Sequence, residues 1–89
     1  MTPSEATLLL VEDDRSNLES LERLFAKEGY SVLTAPDARA ALELLRRQRA
    51  HIVVTDLMMP GLSGLDLLKA IKAVSPETEV ILMTAYGTV

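Results

Sequence analysis

The sequence contains no cysteine and no tryptophan, only one histidine, and three other aromatic residues, two tyrosines and one phenylalanine. Without cysteine the chain can form neither a disulfide framework nor a thiolate metal site, and His51 alone excludes a histidine cluster. The core therefore has to be built from aliphatic residues and methionine. Any metal site has to use oxygen ligands, which suit hard cations.

Positive charge is also scarce, because nine basic residues against thirteen acidic ones give a net charge of −4. Binding to nucleic acid phosphates needs a basic face, so no direct nucleic acid partner is expected. No apolar run is as long as a membrane span, and no segment has the layout of a signal peptide. We therefore expect a soluble, cytoplasmic domain with no membrane partner.

Aliphatic residues are what the sequence does contain: 48% of the 89 residues are hydrophobic, which excludes a disordered tail. The length allows one small domain, 1–89. Four short apolar runs predict strands at 8–11, 30–35, 51–55 and 80–84. Helical spacing of apolar residues predicts helices at 16–28, 36–49 and 63–74. This alternation predicts an α/β fold in which a doubly wound parallel sheet carries helices on both faces.

Acidic residues follow two of these strands. Glu12 and Asp13 come directly after the first strand, and Asp56 ends the third. Because ligands gather at the carboxyl ends of parallel strands, we expect these three carboxylates to share one edge of the sheet. Carboxylates that close together raise one another's pKa values unless a cation lies among them.

An all-oxygen ligand set of this kind suits Mg²⁺. One of the carboxylates could then accept a phosphoryl group, with the metal neutralising the transferring oxygens. Thr84 ends the fourth strand, so its hydroxyl is expected at the same edge, within reach of a phosphoryl oxygen. The residues therefore point to phosphoryl transfer at an acidic site.

Each of these residues also has a more ordinary interpretation. Asp56 could cap a loop, and Thr84 could be a β-branched strand residue. Asp14 is interpreted as the N-cap of the first helix and not as a ligand. His51 is interpreted as a strand-start residue, and the arginines of 46–49 as a helix end at which cations suit the dipole.

Three ordered stretches, VEDD at 11–14, TDLMMPGLSG at 55–64 and ILMTAYG at 81–87, resemble the receiver domain of two-component response regulators. The resemblance extends from Leu8 onward, and MTAYGTV is most similar to receivers fused to nitrogen-regulation-type transcription activators. It implies a flavodoxin-like fold. It also implies a phosphoacceptor module, not an enzyme, that receives its phosphoryl group from a sensor histidine kinase.

The same resemblance implies a role for each matching residue. Asp56 is the implied phosphoacceptor, and Thr84 is the implied switch hydroxyl. Asp13 and Asp56 are implied Mg²⁺ ligands, with Glu12 acting partly through water. The backbone carbonyl of Met58 is implied to supply a further oxygen.

The family pattern continues with a fifth strand that ends in a lysine, together with a fourth and a fifth helix. None of these is found in the 89 residues, so we expect an incomplete receiver, truncated after the fourth strand. Lys69 and Lys72 do not replace the missing lysine, because both belong to the predicted third helix.

Truncation of this kind predicts a homo-oligomer. An uncovered edge at strand 80–84 is a template for strand pairing. The first helix has an apolar stripe, Leu18, Leu21, Leu24 and Phe25, that would lose a neighbour. The alternative function is therefore a non-switching fragment that folds by self-association, with a vestigial acidic pocket. A metal-dependent hydrolase is disfavoured because no general base is visible.

Overall fold

The computed structural model describes residues 6–56 and 63–83, in which strands and helices alternate strictly. The strands are β1 (Thr7–Val11), β2 (Ser31–Ala35), β3 (Ile52–Asp56) and β4 (Glu79–Met83). The helices are α1 (Arg15–Lys27), α2 (Ala38–Arg47) and α3 (Gly64–Val74). All the predicted elements are present, and their ends lie within two residues of the predicted ones. In the part of the chain that the structure describes, no helix is long and apolar enough to cross a membrane.

The four strands form one parallel sheet in the order β2-β1-β3-β4. Leu9 of β1 pairs with Leu33 of β2 on one side and with Val53 of β3 on the other. The chain therefore reverses its direction of travel across the sheet between β2 and β3. Such a reversal leaves a crevice at the carboxyl ends of β1 and β3, which is where this class of sheet binds ligands. The predicted doubly wound parallel sheet is confirmed.

One face of the sheet is covered by α2 and α3. Its fully buried core is formed by aliphatic side chains from the strands and from both helices, including Leu9, Val11, Val53, Ala41, Leu67 and Ile71. The residues of β1 and β3 are apolar on both faces, as expected of central parallel strands. This continuous burial holds the ends of β1 and β3 in place.

The opposite face carries α1. Leu18, Leu21 and Phe25 pack against Leu8 and other residues of the strands, but no residue of α1 is fully buried. The fourth member of the predicted stripe, Leu24, is 54% exposed. The reason is geometric, because consecutive helical residues are about 100° apart and Leu24 is therefore turned well away from Phe25.

The N-terminus of α1 is capped as the sequence predicted. The Asp14 carboxylate accepts hydrogen bonds from the backbone N–H groups of Ser16 at 2.9 Å and Asn17 at 3.3 Å. Asp37 caps α2 and Ser63 caps α3 in the same way. Each cap fixes the residue at which its helix begins, and so the length of the loop that joins the helix to the preceding strand.

Side chains form hydrogen bonds between the amino-terminal ends of the strands. His51, which precedes β3 as predicted, accepts the Thr7 N–H through Nδ1 at 3.0 Å. Thr78, which is 1% exposed, donates its hydroxyl hydrogen to the Ala50 carbonyl at 2.8 Å. Nothing in the local pattern pointed to Thr78, because its partner lies 28 residues away. These bonds join the starts of β1, β3 and β4.

Candidate functional site

The acidic residues at the carboxyl ends of β1 and β3 come together in the fold. Glu12, Asp13 and Asp56 each place one carboxylate oxygen so that the three oxygens lie within 4.8 Å of one another. The register explains this, since Val11 pairs with Thr55, which places Glu12 next to Asp56 where β1 and β3 end. The expected proximity of these three carboxylates is therefore observed.

The three carboxylates differ in exposure. Glu12 is only 6% exposed, Asp56 is half-buried, and Asp13 is exposed. The backbone N–H of Glu12 donates to the Ala35 carbonyl at 3.2 Å, and its carboxylate accepts the Asp14 N–H at 3.0 Å. Glu12 is thus held as the inner wall of the site, while the Asp13 side chain faces solvent.

Burial is the main reason why the pKa of Glu12 is raised above its ordinary value of 4.5. A hydrogen bond with Asp13 and the negative charges of Asp13 and Asp56 raise it further, whereas the Asp14 N–H acts to lower it. When ionised, the three carboxylates therefore repel one another at close range. A bound proton or a bound cation reduces this repulsion.

The donor set fits a small hard cation. Oxygen atoms that each lie 2.0–2.1 Å from a magnesium ion are at most about 4.2 Å apart. The observed limit of 4.8 Å is close to this separation. Carboxylates alone, without histidine or cysteine, favour magnesium over zinc or copper.

Two of the residues assigned to this site from the sequence, Met58 and Thr84, lie outside the described residues. Asp14 is occupied in capping α1, in agreement with its interpretation as a cap. Gly64, which follows the acceptor loop, is the first residue of α3. The described part of the site therefore consists of Glu12, Asp13 and Asp56.

The basic residues weighed from the sequence lie at the other edge of the sheet. Lys72 donates to backbone carbonyls of the α3–β4 connection. Arg46 and Arg47 form the last turn of α2, and Arg49 pairs with Glu77 at 3.1 Å. Because all helices run antiparallel to the strands, their basic last turns point away from the acidic site.

The family model of the response regulator receiver domain matches residues 8–89. The chain belongs to this family. The predicted family is therefore confirmed. Receiver domains are the phosphoacceptor modules of two-component response regulators.

Curated proteins with similar sequences include regulators of transcription. The transcriptional regulatory protein GlrR of Escherichia coli K12, a relative of the nitrogen-regulation type, is 38% identical over 89 residues, which is all of this chain and 20% of GlrR. Sporulation initiation phosphotransferase F of Bacillus subtilis is 35% identical over 80 residues, 90% of this chain and 64% of that protein. This chain thus spans about a fifth of the length of GlrR.

A solved structure shows the same fold. The response regulator protein TrrA of Thermotoga maritima, crystallised in complex with Mg²⁺-BeF, matches with a TM-score of 0.84 and 32% identity. The match covers 91% of this chain and 70% of the TrrA chain. The flavodoxin-like receiver fold expected from the resemblance is confirmed.

Proposed function

We propose that this receiver domain accepts a phosphoryl group on Asp56 from a phosphohistidine of a sensor histidine kinase. The observation that carries the proposal is the cluster of Glu12, Asp13 and Asp56, with oxygens within 4.8 Å, at the carboxyl edge of a receiver fold. The half-buried Asp56 carboxylate ends β3 and follows three buried residues of that strand. Such a rigid support favours a defined line of attack.

The proposed step exchanges one bond to phosphorus for another. An oxygen of the ionised Asp56 carboxylate forms a bond to the phosphorus atom, and the bond from phosphorus to the donor imidazole nitrogen breaks. The electron pair of that bond stays on the nitrogen, and Asp56 becomes an acyl phosphate. Asp56 acts as the nucleophile in its ionised form, so no general base is needed.

Glu12 and Asp13 hold charge next to the acceptor. Alone, their carboxylates would repel the dianionic phosphoryl group of a donor. A bound Mg²⁺ supplies the positive charge that offsets this repulsion and neutralises the transferring oxygens. We infer that Glu12, Asp13, Asp56 and the Met58 carbonyl hold this ion, and the similarity to TrrA, solved with Mg²⁺-BeF, supports the inference. The switch role of Thr84 stays a prediction.

The direct test is covalent. When the chain is incubated with Mg²⁺ and a small acyl phosphate, we expect its intact mass to rise by one phosphoryl group, with no rise for Asp56→Asn. Asp66→Asn is the matched control, because Asp66 is an exposed aspartate in the first turn of α3. Phosphorylation of the Asp56→Asn variant, or none of the folded unsubstituted chain, would contradict the proposal.

Self-association is a second candidate function, and exposed apolar side chains favour it. Ile81 of β4 is 52% exposed on the sheet face that carries α1, and Leu24 of α1 is 54% exposed. Among the described strands, β4 lies at one edge of the sheet. Exposed apolar side chains and an uncovered strand edge are each a common basis for pairing between copies.

We expect size-exclusion chromatography with light scattering to show a dimer or a larger oligomer. Ile81→Lys is expected to shift the population towards monomer, because a lysine on this face opposes pairing. Leu65→Lys provides the comparison, since Leu65 is 56% exposed on α3, away from this face. A folded chain that elutes as a stable monomer excludes this candidate.

A further inference from the structure

A cavity of about 390 Å³ lies beside the acidic cluster, between the start of α1 and the ends of β1 and β2. Four acidic residues, Glu12, Asp13, Glu19 and Glu22, line it together with Arg15, Leu18 and Thr34. Among the described residues that line this cavity, Arg15 alone is basic. Arg15 is therefore the one positive charge of an acidic cavity that shares Glu12 and Asp13 with the site, whose proposed substrate is a dianion.

Arg15 is in a position that local structure does not favour for a cation. It is the first residue of α1, where the helix dipole favours negative charge. The basic residues in the last turns of the helices, such as Lys27 and Lys72, are placed as the dipole prefers. Departures from a local preference concentrate at functional positions.

The Arg15 side chain is only weakly held. It is 90% exposed and pairs with Glu19 four residues later, with 3.5 Å between Nε and Oε2. An exposed pair of this spacing contributes little to stability, because solvent and salt screen it. The guanidinium can therefore leave Glu19 readily for an anion that accepts two parallel hydrogen bonds, as a phosphoryl group does.

We propose that Arg15 binds the non-bridging oxygens of the incoming phosphodonor and so speeds the phosphorylation of Asp56. The inference rests on the proposed function and adds a donor-binding residue to it. The guanidinium keeps its protons throughout. Its contribution is to offset the charge of the donor and orient it, while the bond exchange at phosphorus takes place at Asp56.

The test compares rates of Asp56 phosphorylation by acetyl phosphate at saturating Mg²⁺ in the full 89-residue chain. We expect Arg15→Ala to lower the rate about tenfold, the scale of one charge-assisted hydrogen bond, and Arg15→Lys to restore it in part. Glu19→Gln, which releases Arg15, is expected to react at least as fast as the unsubstituted chain. Arg23→Ala is the control, because Arg23 is exposed on the same helix and does not line the cavity.

The Mg²⁺ affinity of each variant is measured in parallel by titration. A slower reaction of Arg15→Ala with undiminished Mg²⁺ affinity supports the inference, because a merely structural role would weaken the metal site as well. Equal rates for Arg15→Ala and the unsubstituted chain overturn it, as does a loss of rate that weaker Mg²⁺ binding explains. If the unsubstituted chain gains no phosphoryl group at all, the proposed function itself fails.

Discussion

Replacing Leu67 by alanine is expected to lower the free energy of unfolding by about 2–5 kcal/mol. Leu67 is fully buried on α3, within the core formed by α2, α3 and the sheet. The substitution removes apolar contacts and leaves a cavity that the central strands cannot collapse to fill. A small domain has only about 5–15 kcal/mol of stability, so a large part of it would be lost.

Leu65→Ala is the matched control for this prediction. Leu65 lies two residues earlier on the same helix and is 56% exposed, so its truncation is expected to change stability by less than about 0.5 kcal/mol. Urea denaturation followed by circular dichroism gives both values under the same conditions. Equal losses for the two variants would show that α3 does not pack on the sheet through Leu67.

Replacing Glu12 by glutamine is expected to have opposite effects on stability and on metal binding. Without Mg²⁺ the variant gains stability, because like charges within 4.8 Å repel each other by about 1 kcal/mol even in water. A gain of that size raises Tm by about 4–8 °C in a domain of this length. With Mg²⁺ the unsubstituted chain is expected to be the more stable of the two, because a bound ion stabilises the folded state. We expect Glu12→Gln to bind Mg²⁺ with an affinity at least about tenfold lower.

The pH dependence of this effect follows from the raised pKa of Glu12. The folded state binds the Glu12 proton more tightly than the unfolded state does, so the unsubstituted chain loses stability as pH rises. The loss begins near the ordinary pKa of 4.5 and is complete above the raised folded value. Glu12→Gln lacks this loss, so its advantage is absent in acid and largest near neutral pH.

Thermal melts across this pH range, with and without Mg²⁺, check the prediction. Glu43→Gln serves as the control, because Glu43 is an exposed carboxylate on α2 and does not belong to the cluster. It should show neither the gain nor the reversal. A Glu12→Gln variant that is less stable than the unsubstituted chain in metal-free buffer would mean that Glu12 is stabilising when ionised.

The elements of the fold were predictable because their signals are local. Apolar runs such as Leu8–Val11 and capping residues such as Asp14 act within a few positions of the chain. Element ends moved by up to two residues, since the last turn of a helix depends on neighbours as well as on its own sequence. Leu24 belongs to the apolar pattern of α1 but is exposed, because it is turned about 100° away from Phe25.

For the acidic site, the sequence predicted only that the ends of two strands bring its residues close together. The rule that parallel strands bind ligands at their carboxyl ends predicts that Glu12, Asp13 and Asp56 lie close together. Which carboxylate is buried did not follow from the sequence. Glu12 is the inner residue because its backbone is tied to Ala35 of β2, a contact across the sheet.

Sequence alone determined the family of this chain, the alternation of its elements and the three carboxylates at its site, because these depend on residue types and short spacings. Tertiary structure alone decided that Glu12 has a raised pKa, that Thr78 donates a hydrogen bond to Ala50, and that Arg15 lines a cavity beside the site. Each of these depends on residues distant in the chain being packed together. Burial and charge proximity arise only from that packing, and no local pattern encodes them.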